Sequence, residues 1–189
     1  MEETIIEEWE AVTIPPPPGV TAVTVDEKET ALLVLDIQTQ NCTAERRPRC
    51  VRRLVQVAQL LAAAREHRIP VVYSLTRAAE KKDILQEVAP EKGEYVVKAG
   101  VNKFYQTELE KILKEKQIKT VIIVGTSAEG AVLHTATGAA ARGYTVILPV
   151  DGISSGEMYA EQYTVWHMVH APGTKRHVTV TKTDLITFE

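Results

Sequence analysis

Several things are scarce in this chain of 189 residues, and each scarcity excludes a class of protein. It has only two cysteines, Cys42 and Cys50, too few for a disulfide-built scaffold. Eight residues apart, they are close enough to close a small loop, but a lone pair is read here as free thiols in a reducing cytoplasm. An excess of charge of one sign is also missing. The 22 basic residues against 25 acidic ones leave a net charge of −3, and the basic cluster Arg46, Arg47, Arg49, Arg52 and Arg53 is local, which argues against nucleic acid as a partner. Long apolar runs are absent: Ala31 to Leu35 and Val121 to Val124 fall far short of the roughly 18 residues of a membrane span. The opening MEETIIEEWE is acidic, the wrong sign for a secretory or mitochondrial leader, so a cytoplasmic location is expected.

What is present is a balance of 44% hydrophobic and 25% charged residues, which suits one globular domain. A chain of this size buries roughly 70% of its unfolded surface and needs no staple. Runs rich in β-branched and aliphatic residues predict strands at Ala31–Asp36, Pro70–Thr76, Thr120–Thr126, Thr145–Asp151 and His177–Lys182, with Tyr95–Lys98 as a further short one. Most are nearly continuous in apolar residues, the pattern of strands covered on both faces of a parallel sheet. Val51, Leu54, Val55, Ala58, Leu61 and Ala62 recur at helical spacing, and Phe104 to Glu115, Ala131 to Arg142 and Tyr159 to His170 predict three more helices. Alternating strands and helices imply a doubly wound α/β sheet with helices on both faces. Ligands then bind beyond the carboxyl ends of the strands, where the strand order reverses. Residues 1–29 form a separate arm, because Pro15 to Pro18 suit an extended connector or a contact with a neighbouring subunit; residues 30–189 form the domain.

Two features carry chemistry. Asp36 ends the first predicted strand in LLVLDIQ, at the rim of the crevice, where it serves acid–base work or caps the following loop. In GTSAEGAVLHTATGAAARGY, residues 125 to 144, a strand runs into a turn of small residues that opens a helix. Such a turn aims backbone N–H groups at a carboxylate or developing oxyanion, while its small residues also suit close packing on the sheet. Gln38 orients a substrate or water, or else stabilises its own loop. Cys42 is either a buried thiol or a displaced nucleophile. His134, His167 and His170 read as structural, and no metal or other cofactor is implied.

Taken together, LLVLDIQ, YVVKAGVNKFYQTELEKIL and VIIVGTSAEGAVLHTATGAAARGYTVILPVDG resemble the isochorismatase-like hydrolase superfamily, also called the cysteine hydrolases, over about residues 30 to 186. The resemblance implies a six-stranded sheet that reverses between the strand carrying the aspartate and the strand leading to the turn. It implies Asp36 and Lys98 as the acid–base pair, Lys98 standing ahead of a segment of the form N-x-F-x-x-T-x-L at Asn102, Phe104, Thr107 and Leu109. The turn from Gly125 to Val132 would contain a cis peptide at Thr126–Ser127, and Gln38, Phe104, Thr126, Ser127 and Gly130 would line the substrate site. The family's nucleophilic cysteine falls at Ala131, whose methyl group cannot attack a carbonyl. The D-x-H-x-x-H metal motif of nicotinamidases is also missing, since residues 70 to 95 contain no histidine.

These features imply a hydrolase for a small-molecule substrate that works without cysteine. Such an enzyme would cleave a vinyl ether, as isochorismatases do, or a C–N bond. The rival reading is a binding or scaffold paralogue that lost turnover. The arm and the aromatic residues Tyr159, Tyr163 and Trp166 offer apolar surface for a homo-oligomer.

Overall fold

A computed structural model describes residues 3–189. Nine strands and four α-helices alternate through it: β1 (Val23–Val25), β2 (Thr30–Leu35), α1 (Pro48–Glu66), β3 (Val71–Thr76), β4 (Tyr95–Ala99), α2 (Leu109–Glu115), β5 (Thr120–Thr126), α3 (Leu133–Ala141), β6 (Thr145–Pro149), β7 (Ile153–Ser154), α4 (Met158–His170), β8 (Val178–Thr181) and β9 (Ile186–Phe188). The main sheet runs in the order β4-β3-β2-β5-β6-β8, every pairing parallel, and β7 adds a short parallel pairing to the end of β5. The doubly wound fold expected from the sequence is present, with β7 as an addition to the six strands. No helix among the described residues is long and apolar enough to cross a membrane.

Both faces of the sheet are dry. In β2 all six residues are buried; Leu32 and Val34 face one core with Leu54, Val57 and Leu61 of α1, while Leu33 and Leu35 face a second core with Leu113 of α2 and Ala136 and Ala139 of α3. This explains why the strand lacks polar alternation: side chains pointing to either face meet a helix. The helices also carry their own punctuation. Pro48 opens α1, where a missing N–H costs nothing, and Gly143 follows α3 with a positive φ of 86°. Residues 23–25 pair with β9 in a small second parallel sheet, tying this stretch to the end of the chain.

The strand order steps away from β2 in opposite directions, to β3 on one side and β5 on the other, so the reversal lies between β2 and β5. A crevice must open at their carboxyl ends. Gly125 makes the close approach possible there. It sits at φ 135°, opposite Leu35, and a Cβ at this position would stand 2.1 Å from the Leu35 carbonyl oxygen. Any side chain would push the two strand ends apart.

The two cysteines depart from expectation. Cys42 and Cys50 form a disulfide, their Cα atoms 5.4 Å apart, so they are not the free thiols read from the sequence. The physical reason is local. Arg47 N–H bonds to Thr43 O and Cys50 N–H to Arg47 O, each at 2.9 Å, so the chain curls into the first turn of α1 and returns Cys50 beside Cys42. Under denaturing, non-reducing conditions a maleimide should therefore label no cysteine, and after reduction two per chain. Mass spectrometry showing two labelled cysteines before reduction would refute the pairing.

Candidate active site

Asp36 follows β2 with a positive φ of 53°, a conformation that aspartate tolerates better than most residues but that still costs energy. The turn is held by its own backbone. Asp36 N–H donates to Ser74 O, Gln38 N–H donates to Asp36 O, and the Asn41 side-chain amide donates to the same carbonyl. The carboxylate is thereby tucked against the end of β3, where Ser74 Oγ donates to Oδ1 at 2.7 Å.

Its charge partner is Lys103, whose Nζ lies 2.7 Å from Asp36 Oδ2 and donates also to Gly100 O at 2.8 Å. The lysine side chain is 1% exposed and the aspartate side chain 7%. Burial pulls the Lys103 ammonium below the ordinary lysine range, outweighing the attraction of the Asp36 carboxylate. Its loop is fixed from α3: Thr135 Oγ1 accepts from Lys103 N–H and donates to Val101 O. Thr107 Oγ1 caps the loop by donating to Lys103 O.

Lys98, the lysine implied by the resemblance, does not meet Asp36. It lies on β4, the edge strand, where Val97 and Ala99 turn inward and Lys98 turns out to solvent. Two-residue alternation forces this: with its neighbours facing the core, the residue between them must face away. Lys103, five residues on and inside the same N-x-F segment, is the lysine that meets Asp36. The sequence did hold a signal, since Lys103 lies within the N-x-F-x-x-T-x-L segment itself, between Asn102 and Phe104.

The turn after β5 is the second half of the site. The Thr126–Ser127 peptide is cis, as the resemblance implied. Residues 128–132 then form one wide π-helical turn, with Val132 N–H donating to Ser127 O, before α3 begins at Leu133. Such turns recur at functional sites because they displace the backbone from regular helix geometry. Ala131 lies in this turn and is buried. Gly130 leaves room for the serine beside it, since a Cβ there would lie 2.7 Å from Ser127 Oγ. Thr126 is buried and spends its hydroxyl on Ser154 O, which fixes β7 against the turn. At the rim, Ser155 Oγ donates to Glu129 Oε2 at 2.6 Å.

Three of the expected substrate-lining residues are occupied elsewhere, Thr126 by its bond to Ser154 O. Gln38 is fully buried, and its amide bridges to Thr76, receiving the backbone N–H and donating to Oγ1, so it ties the Asp36 loop to the end of β3. Phe104 is a core residue, stacked on Tyr144 at 6.0 Å under the Arg142 guanidinium. Ser127, Gly130 and the buried Ala131 remain with Asp36 at the reversal of the sheet. Among the described residues no three His, Cys, Asp or Glu side chains are grouped to hold a metal ion.

The arrangement sets the buried Asp36–Lys103 contact beside a distorted helix opening on neighbouring strand ends. Comparison with known proteins gives the family. The model of the isochorismatase domain matches residues 30–184. An isochorismatase family protein of Bacillus subtilis, YaaI, is 37% identical over 75 residues, which are 39% of this chain and 41% of that protein. The N-carbamoylsarcosine amidase of an Arthrobacter species is 39% identical over 67 residues, 35% of this chain and 25% of the amidase. The matched part therefore spans less than half of either relative. In fold, the crystal structure of an isochorismatase from Pseudomonas putida superposes with a TM-score of 0.75 at 17% identity, covering 98% of this chain and all of that one. With a domain model spanning most of its length and a sheet of the same winding, the chain belongs to the isochorismatase family of hydrolases.

Proposed function

We propose that this protein hydrolyses a small molecule without a cysteine nucleophile, with Asp36 and Lys103 handling the proton. The observation that carries the reading is the buried pair itself, 2.7 Å from oxygen to nitrogen at the carboxyl end of β2. An ion pair sealed from water is costly to build, and packing alone gives no reason to keep one. Ala131 stands where the resemblance puts the family nucleophile, and both cysteines are engaged with each other. A covalent thioester route is therefore closed, and water must attack directly.

For a C–N bond, the Asp36 carboxylate accepts a proton from water as its oxygen adds to the carbonyl carbon. The C–N bond then breaks and the departing nitrogen takes the proton. The partial match to an amidase supports this class. For a vinyl ether, the pair works in the other direction. It delivers its shared proton to the enol ether carbon, water adds to the resulting cation, Asp36 recovers a proton, and the hemiketal collapses to an alcohol and a carbonyl. Burial loosens the hold of Lys103 on its proton, which suits a pair that must pass one to and fro. Ser127 before the wide turn and Ala131 within it would offer backbone N–H groups to a developing oxyanion in either case.

A non-catalytic binding paralogue is the competing reading, favoured by one observation: Ala131 has no reactive atom. The cytoplasmic location expected from the sequence loses its support with the disulfide, which favours an oxidising compartment. We also propose that residues 1–29 act as an arm on the domain of residues 30–189, and that the protein is a homo-oligomer. Ile5, Ile6, Trp9, Val12 and Ile14 on the arm are exposed, as are Met158, Tyr159, Tyr163 and Trp166 on α4. The arm prolines and α4 flank an apolar groove of about 610 Å³. So much exposed apolar surface suits a subunit contact.

In a screen of small amides and vinyl ethers, Asp36→Asn should lower turnover by about a hundredfold or more while the protein stays folded. Unchanged turnover in this variant would remove the proposed mechanism, and tight ligand binding with no turnover in the wild type would favour the binding paralogue. Turnover should also fall as pH rises, with a midpoint below the ordinary lysine value of about 10.4, as Lys103 loses its proton. Over that same interval the unfolded chain binds more protons at this lysine than the folded one, so the contribution of Lys103 to stability rises with pH. The alkaline loss should thus appear in a rate profile without a drop in thermal midpoint assignable to this residue. Light scattering at micromolar concentration should give a mass above 20.9 kDa; a monomer would refute the homo-oligomer.

A further inference from the structure

Residues 1–29, proposed above as an arm, hold eight carboxylates and one lysine, so they carry −7 of a chain whose net charge is −3, and residues 30–189 carry +4. Two parts of one chain thus attract each other. The tip of the arm nevertheless keeps to itself. Residues 4–11 form short helical turns whose hydrogen bonds stay inside the segment: Glu8 N–H donates to Thr4 O, Ala11 N–H to Glu8 O, and Thr4 N–H to the Glu7 carboxylate. Ile5, Ile6 and Trp9 share one side of these turns and are each more than half exposed. Glu3, Glu8 and Glu10 are exposed as well, with no cation partner among the described residues.

The densest positive charge of the domain lies at the start of α1, where five arginines fall within residues 46–53. Arg49 is taken by Glu161 of α4, while Arg46 and Arg52 are exposed and meet no carboxylate among the described residues. Val51, Arg52 and Val55 stand on one side of the helix, three and four residues apart, and the two valines are 39% and 60% exposed. An outward face of valines beside arginines is the complement of a tip that sets isoleucines and a tryptophan beside glutamates. The exposed aromatic face of α4 is not, since Met158 to His170 contains no lysine or arginine. The tip also stands off its own domain: residues 3–17 are all exposed, and Pro15 to Pro18 make a stiff spacer of about 12 Å ahead of Thr21, whose N–H is tied to Val180 O of β8. Those prolines share their groove with Arg53 of α1, so the arm leaves the domain beside the helix suited to receive one. Donor and receiver lying side by side is what a two-fold exchange between copies requires.

We propose that two copies of this chain exchange arm tips, residues 4–11 of each docking on the outer face of α1 of the other, with the glutamates against Arg46 and Arg52 and the apolar side chains against Val51 and Val55. Attraction between the charges fixes the register and speeds the encounter, and burial of Ile5, Ile6 and Trp9 against the valines holds the contact. This inference rests on the homo-oligomer given under Proposed function and names the surface that makes it; it is independent of turnover.

The test reverses charge on each side of the contact in the full chain, with sedimentation to measure self-association and thermal midpoints to check folding. Glu3→Lys, Glu8→Lys and Glu10→Lys together should weaken self-association at least about tenfold, and so should Arg46→Glu with Arg52→Glu. Mixed one to one, the two variants should associate with each other about as tightly as the wild type with itself, because each reversed surface then meets its complement. Only docking between copies gives that recovery; a tip folded onto its own chain gains nothing from mixing. Lys175→Glu with Arg176→Glu, beyond the end of α4, should change nothing, and sodium chloride at about 0.5 M should weaken the wild type by screening. In a mixture of isotopically labelled and unlabelled chains, Trp9→p-benzoylphenylalanine should cross-link on irradiation to Pro48–Glu66 of the other copy. Cross-links to its own chain or to α4 of the other copy, unaltered association in both folded reversal variants, or no recovery on mixing would each overturn the exchange while an oligomeric wild type keeps the homo-oligomer standing. A monomeric wild type would remove both.

Discussion

Removing one carboxylate and one ammonium from water together is the constraint around which this molecule is arranged. Neither Asp36 nor Lys103 can be buried alone, because a lone charge in a dry interior costs several kcal/mol. Their contact at 2.7 Å requires the end of β2 and the loop after β4 to meet, although β3 separates those two strands in the sheet. The intervening strand contributes Ser74, which occupies the second carboxylate oxygen. Three consecutive positions of the sheet thus serve one acid.

That meeting demands unusual backbone on both sides. Asp36 adopts a positive φ to swing its side chain back over β3, and Gly125 adopts one so that β5 closes on the Leu35 carbonyl without collision. Strain of this kind persists only where surrounding contacts hold it, and here they are abundant: Gln38 reaches to Thr76, Asn41 to the Asp36 carbonyl, and Thr135 to the loop of Lys103. The wide turn at residues 128–132 follows directly from β5, so the same register that sets Gly125 opposite Leu35 brings Ala131 to the acid's side of the sheet. The loop closed by Cys42 and Cys50 follows the Asp36 turn directly, Cys42 N–H donating to Gln38 O.

The parts of this design that depend on local chemistry could be read along the chain. Buried parallel strands announce themselves as unbroken runs such as Leu32–Leu35, and Asp36 stands out because a charge ends such a run. The cis peptide came from resemblance in motif order. The partner lysine did not, since Lys98 and Lys103 differ only in which way the backbone turns them: one alternates outward on an edge strand, the other is folded under by Thr135 of a helix 32 residues away. Phe104 packs in the core, and Gln38 takes the loop-stabilising one of its two readings, for a related reason. An aromatic ring and an amide beside a site are equally suited to line it or to brace it, and the neighbours that engage them, Tyr144 and Thr76, are distant in sequence.

The sequence by itself determined the layered α/β architecture, the place of the crevice and the acid at its rim. These follow from hydrophobic period, strand and helix alternation and the handedness of crossovers, all short-range properties of the chain. Tertiary structure alone decided which lysine pairs with that acid and that Cys42 and Cys50 join. Each of these is a choice among chemically equivalent side chains, and only the geometry of packing, which sets distance and burial between remote segments, tells one from another.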